Sequence, residues 1–378
     1  MELRKEYKQT DIGVLPNDWE TPTIEEACEL INGRGFKPFE WKEQGLPIIR
    51  IQNLNGSDDY NYYLGKYDTK IEVDNGQLLF AWSGSRGTSF GPHIWHGGKG
   101  LLNYHTWKIN INEKVIHKRY FLHALKQLTK FIEGQAHGAS ALVHVQKWEM
   151  EKFRFPVPTS KVEQSNIGLA LDDMDDLINS LSTLIKKKNA IKQGAMQQLL
   201  KPKEGWVVKK LGEIVDIKKG QLITDNTRVN GDVPVIAGGK SPAYYHNKSN
   251  RNGKTITISG SGASAGYVAF HSHPIFASDC STIEEHKDYS IEYVYYLLQL
   301  LQDKIYKMQT GGAQPHIHPS DLNPIEVALP NKVEQDGIAT ILCDIDNEIQ
   351  SLEQNLSKYQ MLKQGMMQEL LTGKTRLV

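Results

Sequence analysis

The chain has 378 residues, 39% apolar and 23% charged, with 44 Lys and Arg balanced by 44 Asp and Glu. That length leaves room for two or three domains with sizeable cores. The three cysteines, Cys28, Cys280 and Cys343, are too scattered for a disulfide framework or a zinc cluster, and no run of about 18 apolar residues can cross a membrane. Met1-Glu-Leu-Arg-Lys5 opens no signal peptide, so a cytoplasmic protein with no membrane attachment is expected.

In chain order, the first 158 residues read as strands separated by turns, among them Leu46-Pro-Ile-Ile-Arg-Ile51 and Gln77-Leu-Leu-Phe-Ala-Trp82, followed by a helix near 115–133. Pro158 precedes a long amphipathic stretch. There Ile167, Leu171, Met174, Ile178, Leu181 and Ile185 alternate steps of four and three, the seam along which two helices interlock. Pro202 stops it. A second strand-rich segment, 204–330, carries Val233-Pro-Val-Ile-Ala237, Thr255-Ile-Thr-Ile-Ser259 and a helix near 290–308. After Pro330 the seam returns in the same phase as Ile338, Leu342, Ile345, Ile349, Leu352 and Leu356, and Gly373 holds the stop position.

The two long helices are one sequence written twice. Lys161-Val-Glu-Gln164 returns as Lys332-Val-Glu-Gln335 and Lys192-Gln-Gly194 as Lys363-Gln-Gly365; at an offset of 171, 20 of 43 positions are identical. The globular segments repeat more faintly. Trp19, Ile24, Glu26, Leu30 and Gly33 match Trp206, Leu211, Glu213, Ile217 and Gly220, and Ser83-Gly-Ser85 matches Ser259-Gly-Ser261. Asn103 matches Asp279, and Gln135, Gly138, Ala139 and His144 match Gln309, Gly312, Ala313 and His318. The predicted fold is α+β: two similar, mostly β domains with a late helix (1–158 and 204–330), held apart by two coiled-coil helices (159–203 and 331–378) that pair within the chain. A helix of about 40 residues spans roughly 60 Å.

Charge is segregated. Residues 75–112 contain no Asp or Glu, whereas 201–280 hold 11 Lys and Arg against 6 acids, and acid gathers at Asp172-Asp-Met-Asp-Asp176. Arg86, Lys99, Arg251 and Lys254 are candidate phosphate contacts, and Arg, Asn, Gln and His on the same polar stretches can pair with base edges. Such stretches run through 83–100, 238–254, Arg50-Ile-Gln52-Asn53 and Gln309-Thr-Gly-Gly-Ala-Gln314. Carbohydrate-binding loops share this composition, and a coiled-coil scaffold joining two protein-binding domains is the alternative architecture.

Catalytic and cofactor look-alikes fail on inspection. Gly260-Ser-Gly262-Ala-Ser-Ala265 fits a dinucleotide fingerprint but leads into another strand-like run rather than a helix. Gly239-Lys-Ser241 has Pro234 where a phosphate loop needs glycine. His271/His273 and His316/His318 lack Cys or acidic co-ligands for a metal. Glu40-Trp-Lys42 is too short to mark a nuclease, and Asn323-Pro-Ile-Glu326 lacks the aromatic of an amino-methylation motif.

Tyr7-Lys-Gln-Thr-Asp-Ile-Gly-Val-Leu-Pro-Asn-Asp-Trp19, Lys210-Leu-Gly-Glu-Ile214, Gly312-Ala-Gln-Pro-His-Ile317 and Leu370-Leu-Thr-Gly-Lys-Thr-Arg376 resemble the specificity subunit of type I restriction–modification enzymes. So do the two Lys-Val-Glu-Gln helices. The resemblance covers essentially the whole chain and implies that the two long coiled-coil helices pair antiparallel and set the spacing between half-sites. It implies a non-catalytic subunit whose two target-recognition domains read the halves of a split double-stranded DNA sequence. It also implies two modification subunits bringing S-adenosylmethionine for N6-adenine methylation, and restriction subunits using ATP and Mg for cleavage. No cofactor or metal is then expected on this chain, since the base is flipped into the partner's pocket.

Carried over by position, the segments Ser83 to His105 and Ser259 to Ser281, and Gln135 to His144 and Gln309 to His318, should face DNA. Together with residues chosen for their chemistry, the candidates are Arg50, Gln52, Asn53, Ser83, Ser85, Arg86, His93, His96, Lys99, Asn103, His105 and His144 in the first domain. In the second they are Lys240, Arg251, Lys254, Ser259, Ser261, Ser264, Gln309, Gln314, His316 and His318. The first domain departs from the family pattern, with Gly138-Ala-Ser-Ala-Leu142 where the second has Gly312-Ala-Gln-Pro-His316.

Overall fold

The computed structural model describes residues 6–135, 142–224, 226–227, 229–312 and 314–378. Contacts divide the chain into two units, Met1–Ser180 with Leu356–Val378, and Leu181–Asn355. The spacer helices are therefore not separate domains, as the seam pattern alone implies. Each is shared, because its apolar face extends the core of the domain at each end.

In the first unit a four-stranded antiparallel sheet runs in the order Cys28–Asn32, Thr106–Ile111, Leu78–Ala81, Gly91–Ile94. A second sheet places Leu46–Ile49 parallel to Gly100–Leu102, with Asn61–Tyr63 and Glu72–Val73 outside them. The late helix, Lys118–Gln135, buries Tyr120, Phe121, Leu125 and Leu128 against the first sheet. In the second unit, Lys218–Lys219, Cys280–Glu284, Thr255–Ser259 and Val268–His271 repeat that antiparallel order. Val233–Ile236 again lies parallel to Phe276–Ala277. Its late helix, Ile291–Leu300, is followed by Gln302–Lys307. The stretches 83–100 and 238–254, polar enough to read as loops, contain strands Ser83–Ser85, Gly91–Ile94 and Tyr244–His246. These strands are too short and too rich in Gly, Pro and His to show a period of two.

Strand register makes the faint repeat exact. Phe80 lies opposite Trp107 and Ala81 opposite Thr106; 176 residues on, Ile256 lies opposite Ile283 and Thr257 opposite Thr282. Trp19 packs edge-on to Tyr120 at 6.5 Å and Trp206 to Tyr293 at 6.4 Å. Glu26 caps the Thr23 N–H and Glu213 the Lys210 N–H. A Cβ on Gly33 would strike the Asn103 carbonyl, and one on Gly220 the Ser278 carbonyl. That close approach explains why both positions are glycine.

The long helices are Lys161–Leu199 and Lys332–Leu370, 39 residues each. Within the first unit Asp175 pairs with Lys363; within the second, Asp346 pairs with Lys192 at 2.6 Å. These are the same two positions of the repeat with their helices exchanged, so the two helices pair antiparallel in both units. All twelve seam residues are buried or half-buried. Ile167 and Leu171 join the first core and Ile338 and Leu342 the second, so the start of each seam packs into a domain as well as along the other helix.

Lys-Val-Glu-Gln is repeated because its glutamine is a buried staple. Gln164 accepts from the His117 N–H (2.6 Å) and donates to the Pro158 carbonyl (2.7 Å); Gln335 accepts from the Ser290 N–H and donates to the Pro330 carbonyl, both at 3.0 Å. Each thus locks the start of a long helix to the preceding strand and to the start of the late helix. Glu163, fully buried, meets Arg376, whose guanidinium also takes both oxygens of Asp18 and lies 5.9 Å from the Trp19 ring. In the second unit Lys203 fills this role, meeting Glu334 and lying 5.6 Å from the Trp206 ring.

Candidate nucleic-acid interface

Both units bring candidate residues together at the ends of paired strands. In the first, Arg50 and Asn103 leave together from the ends of the parallel strands, where the Asn103 N–H donates to the Ile49 carbonyl at 3.0 Å. The carboxyl ends of parallel strands are where backbone and side chains diverge to leave room for a ligand. Ser83–Ser85 continues from the central strand and pairs with Leu142–His144, putting Ser83 opposite His144 and Ser85 opposite Leu142. In the second unit Ser261 bridges to His316, and the Ile317 N–H donates to the Gly260 carbonyl at 3.0 Å. Ser85 with Leu142 and Ser261 with His316 are the same pair in the repeat. The two reading edges thus share a backbone and differ in side chains.

At the first edge Trp82, half-buried, donates its indole N–H to the Tyr104 carbonyl at 2.9 Å. Its ring lies 5.2 Å from His105 and 6.1 Å from Tyr104. Burial holds the His105 pKa below the usual imidazole value, and Nδ1 is buried without a partner. Arg50 lies 5.4 Å from the Trp41 ring. Arg34, bridged to Asn103, lies 4.8 Å from each of the Phe36 and Tyr63 rings and pairs with Glu40.

At the second edge a cleft of about 410 Å³ lies between the sheets, lined by Lys240, Tyr245, Tyr267, Ser259, His271 and His273 among others. Lys240 sits 5.4 Å from the Tyr267 ring. Ser261 donates to Asp279. Burial, and then the neighbouring His273, push His271 down to about 4, so it stays neutral near pH 7, 2.9 Å from the Thr257 hydroxyl. The exposed Gln314 and His318 flank His316, whose ring stacks on that of His318 at 6.2 Å. Neutral imidazoles, amides and hydroxyls offer both donors and acceptors, the vocabulary of base edges.

Several expected contacts have other employment. Asn53 is buried, its amide spent on the Ser57 and Asp59 carbonyls and its oxygen on the Arg50 N–H, while Gln52 reaches the Asp59 carbonyl at 3.3 Å. Ser259 is buried, and Gln309 holds the Ala265 carbonyl at 2.7 Å beside Ser264. Lys99 pairs with Glu72, Lys254 with Glu292, and Arg251 with Glu284 and Thr282, so their charge is compensated within the fold. His93 is half-buried and bonded to the Ser89 carbonyl, and His96 lines a cleft with Asp172, Asp173, Asp175 and Asp176, a poor setting for phosphate. Arg86 is exposed in the turn after Ser85. Gly138, Ala139 and Ala313 lie outside the described residues.

The aromatics Trp82, Tyr104, Tyr245 and Tyr267 and the acid Asp279 are not among the individually named candidates, although all but Trp82 lie within segments expected to face DNA. A usable signal was present for two of them, since Trp82 and Tyr104 stand where the second repeat has Ile258 and Cys280. Among the described residues no cluster of three or more His, Cys, Asp or Glu could hold a metal ion, and no helix is long and apolar enough to cross a membrane.

Two tandem α+β units whose reading edges match in register and differ in side chains, joined by paired long helices, define a duplicated recognition module. The model of the type I restriction modification DNA specificity domain matches residues 16–193 and again 203–358, and the chain belongs to this family. It is 25% identical over 409 residues to the type I restriction enzyme MjaVIII specificity subunit of Methanocaldococcus jannaschii, covering 96% of this chain and 94% of the relative. To the putative MjaX specificity subunit of the same organism it is 26% identical over 418 residues, covering 98% and 97%. A solved S subunit of a type I restriction–modification system from M. genitalium superimposes with a TM-score of 0.70 at 17% identity, covering 98% of both chains. A chain from a structural study of complex assembly and conformational transition of the type I system gives 0.58 at 14% identity, covering 96% of this chain and 99% of that one.

Proposed function

We propose that this chain is the DNA-recognition subunit of a type I restriction–modification complex. Each unit reads one half of a split, asymmetric duplex target, and the long helices set the gap between the halves. The observation that carries this is the pair of register-matched edges: one shows Trp82, Ser83, Tyr104, His105 and His144, the other Lys240, Ser261, Tyr267, Asp279 and His316. One backbone plan with two sets of hydrogen-bonding side chains suits two different half-sites.

Catalysis in this reading belongs to the partners: two modification subunits with S-adenosylmethionine, and restriction subunits with ATP and Mg, working on DNA in the cytoplasm. A surface for helical partners is available. Within the first unit Val162, Leu169 and Leu177 are exposed on the first long helix and recur every seven or eight residues, the spacing that another helix can pack against. Co-expression with a separately encoded adenine methyltransferase, followed by single-molecule sequencing of the host DNA, tests the proposal. The expected result is a stable complex and a bipartite methylated motif that vanishes when this chain is omitted. Methylation or cleavage by the chain alone, or a complex with no affinity for duplex DNA at low salt, would refute it.

A further inference from the structure

The first reading edge holds an aromatic stack that its twin does without. Phe80 and Trp107 stack at 5.8 Å, and Trp107 and Trp82 at 6.1 Å, both with rings inclined by 22°. Beyond Trp82 the rings turn: His105 is tilted to it by 51° and Tyr104 meets it edge-on at 68°, while the rings of Tyr104 and His105 lie 3.6 Å apart. Phe80 and Trp107 are buried, Trp82 is half-buried and Tyr104 is 46% exposed, so this aromatic series climbs from the core and ends in open solvent. At the same register positions the second unit has Ile256, Ile283, Ile258, Ser281 and Cys280, all buried. The fold therefore does not need aromatic rings here, and an exposed tyrosine at the outer end of an aromatic series is hard to explain by stability. Ser83, His144 and Arg34 border the column with donors and acceptors.

We infer that this column is a stacking platform for one unstacked nucleobase of the half-site read by the first unit, with Tyr104 as the contacting ring. This rests on the proposed DNA-reading function and adds a mode of recognition to it. Aromatic faces accept any base, so the platform supplies affinity and fixes register, while Ser83 and His144 can test base edges beside it.

The test uses the assembled complex with its methyltransferase and the duplex defined by its own methylation motif. Each base of the half-site is replaced in turn by a halogenated photoreactive analogue and irradiated. One position is expected to crosslink to the peptide containing Tyr104. Tyr104→Ala should weaken binding roughly ten- to hundredfold, while Tyr104→Phe keeps it within about twofold. Tyr104 is exposed, so an unchanged thermal melt of Tyr104→Ala would separate contact from folding. Absence of any crosslink to that peptide, or wild-type affinity in Tyr104→Ala, overturns the platform and leaves the proposed function standing. A complex that defines no motif overturns both.

Discussion

Gln164 and Gln335 show how one side chain organises a domain. Each is buried and satisfies a backbone donor and a backbone carbonyl on different elements. Gln335→Ala should destabilise the protein by about 1–3 kcal/mol, because it strands the buried Ser290 N–H and Pro330 carbonyl; urea titration measures this, and a neutral result would assign the repeat to something other than folding. His271 makes a pH prediction. Its folded pKa is depressed to about 4 by burial, so between pH 6.5 and 4 the unfolded chain binds the extra proton. Stability contributed by the neutral ring is complete above about pH 6.5 and is lost as pH falls. The wild-type urea midpoint should therefore drop more between pH 7 and 5 than that of His271→Gln, and parallel drops would exclude His271 as the cause. At the reading edges, Lys240→Ala should weaken binding to every duplex and flatten its salt dependence, whereas Gln314→Ala should relax one position of one half-site at roughly 1–3 kcal/mol. Anisotropy titrations on matched and single-mismatch duplexes distinguish the two, and equal losses on all DNA would show that Gln314 reads no base.

The long helices are elements whose ends belong to domains. Arg376, beyond the second helix, neutralises Glu163, which begins the first and is fully buried. Removing the guanidinium leaves that carboxylate buried and unpaired, so Arg376→Ala should cost about 3 kcal/mol. Adding Glu163→Gln should recover part of the loss, because the stranded charge is then gone. Denaturant unfolding of the single and double variants checks this, and additive losses would show that the pair is not coupled. The helix seam was legible in sequence because a period near 3.5 survives in any helix that packs along one stripe. The bonds from the two glutamines to the late helices and the Arg376–Glu163 pair were visible only as identities, since the atoms they join lie 45 to 213 residues apart.

For the whole molecule, duplication is the dominant fact. If the helices set the gap between half-sites, then lengthening both by the same number of whole turns should widen the methylated motif's central gap. Both half-sites should stay unchanged. Methylome sequencing of such a variant reads gap and half-sites together, and an unchanged gap would remove the helices from that role.

The amino-acid sequence by itself determined the repeat, the two long helices and their seam, the α+β character of the domains and the family. Each of these is written in local periodicity or in residues that recur at a constant offset. Tertiary structure alone decided that each helix is divided between two cores, since that depends on which apolar faces meet. It also decided which candidates face outward. Asn53, Ser259, Lys99 and Lys254 have the right chemistry for DNA but spend it within the fold, and Tyr104 ends an aromatic series whose Trp82 and Phe80 lie 22 and 24 residues away in the chain. Side-chain type is a property of sequence; whether its polar atoms are free is a property of the neighbours that folding supplies.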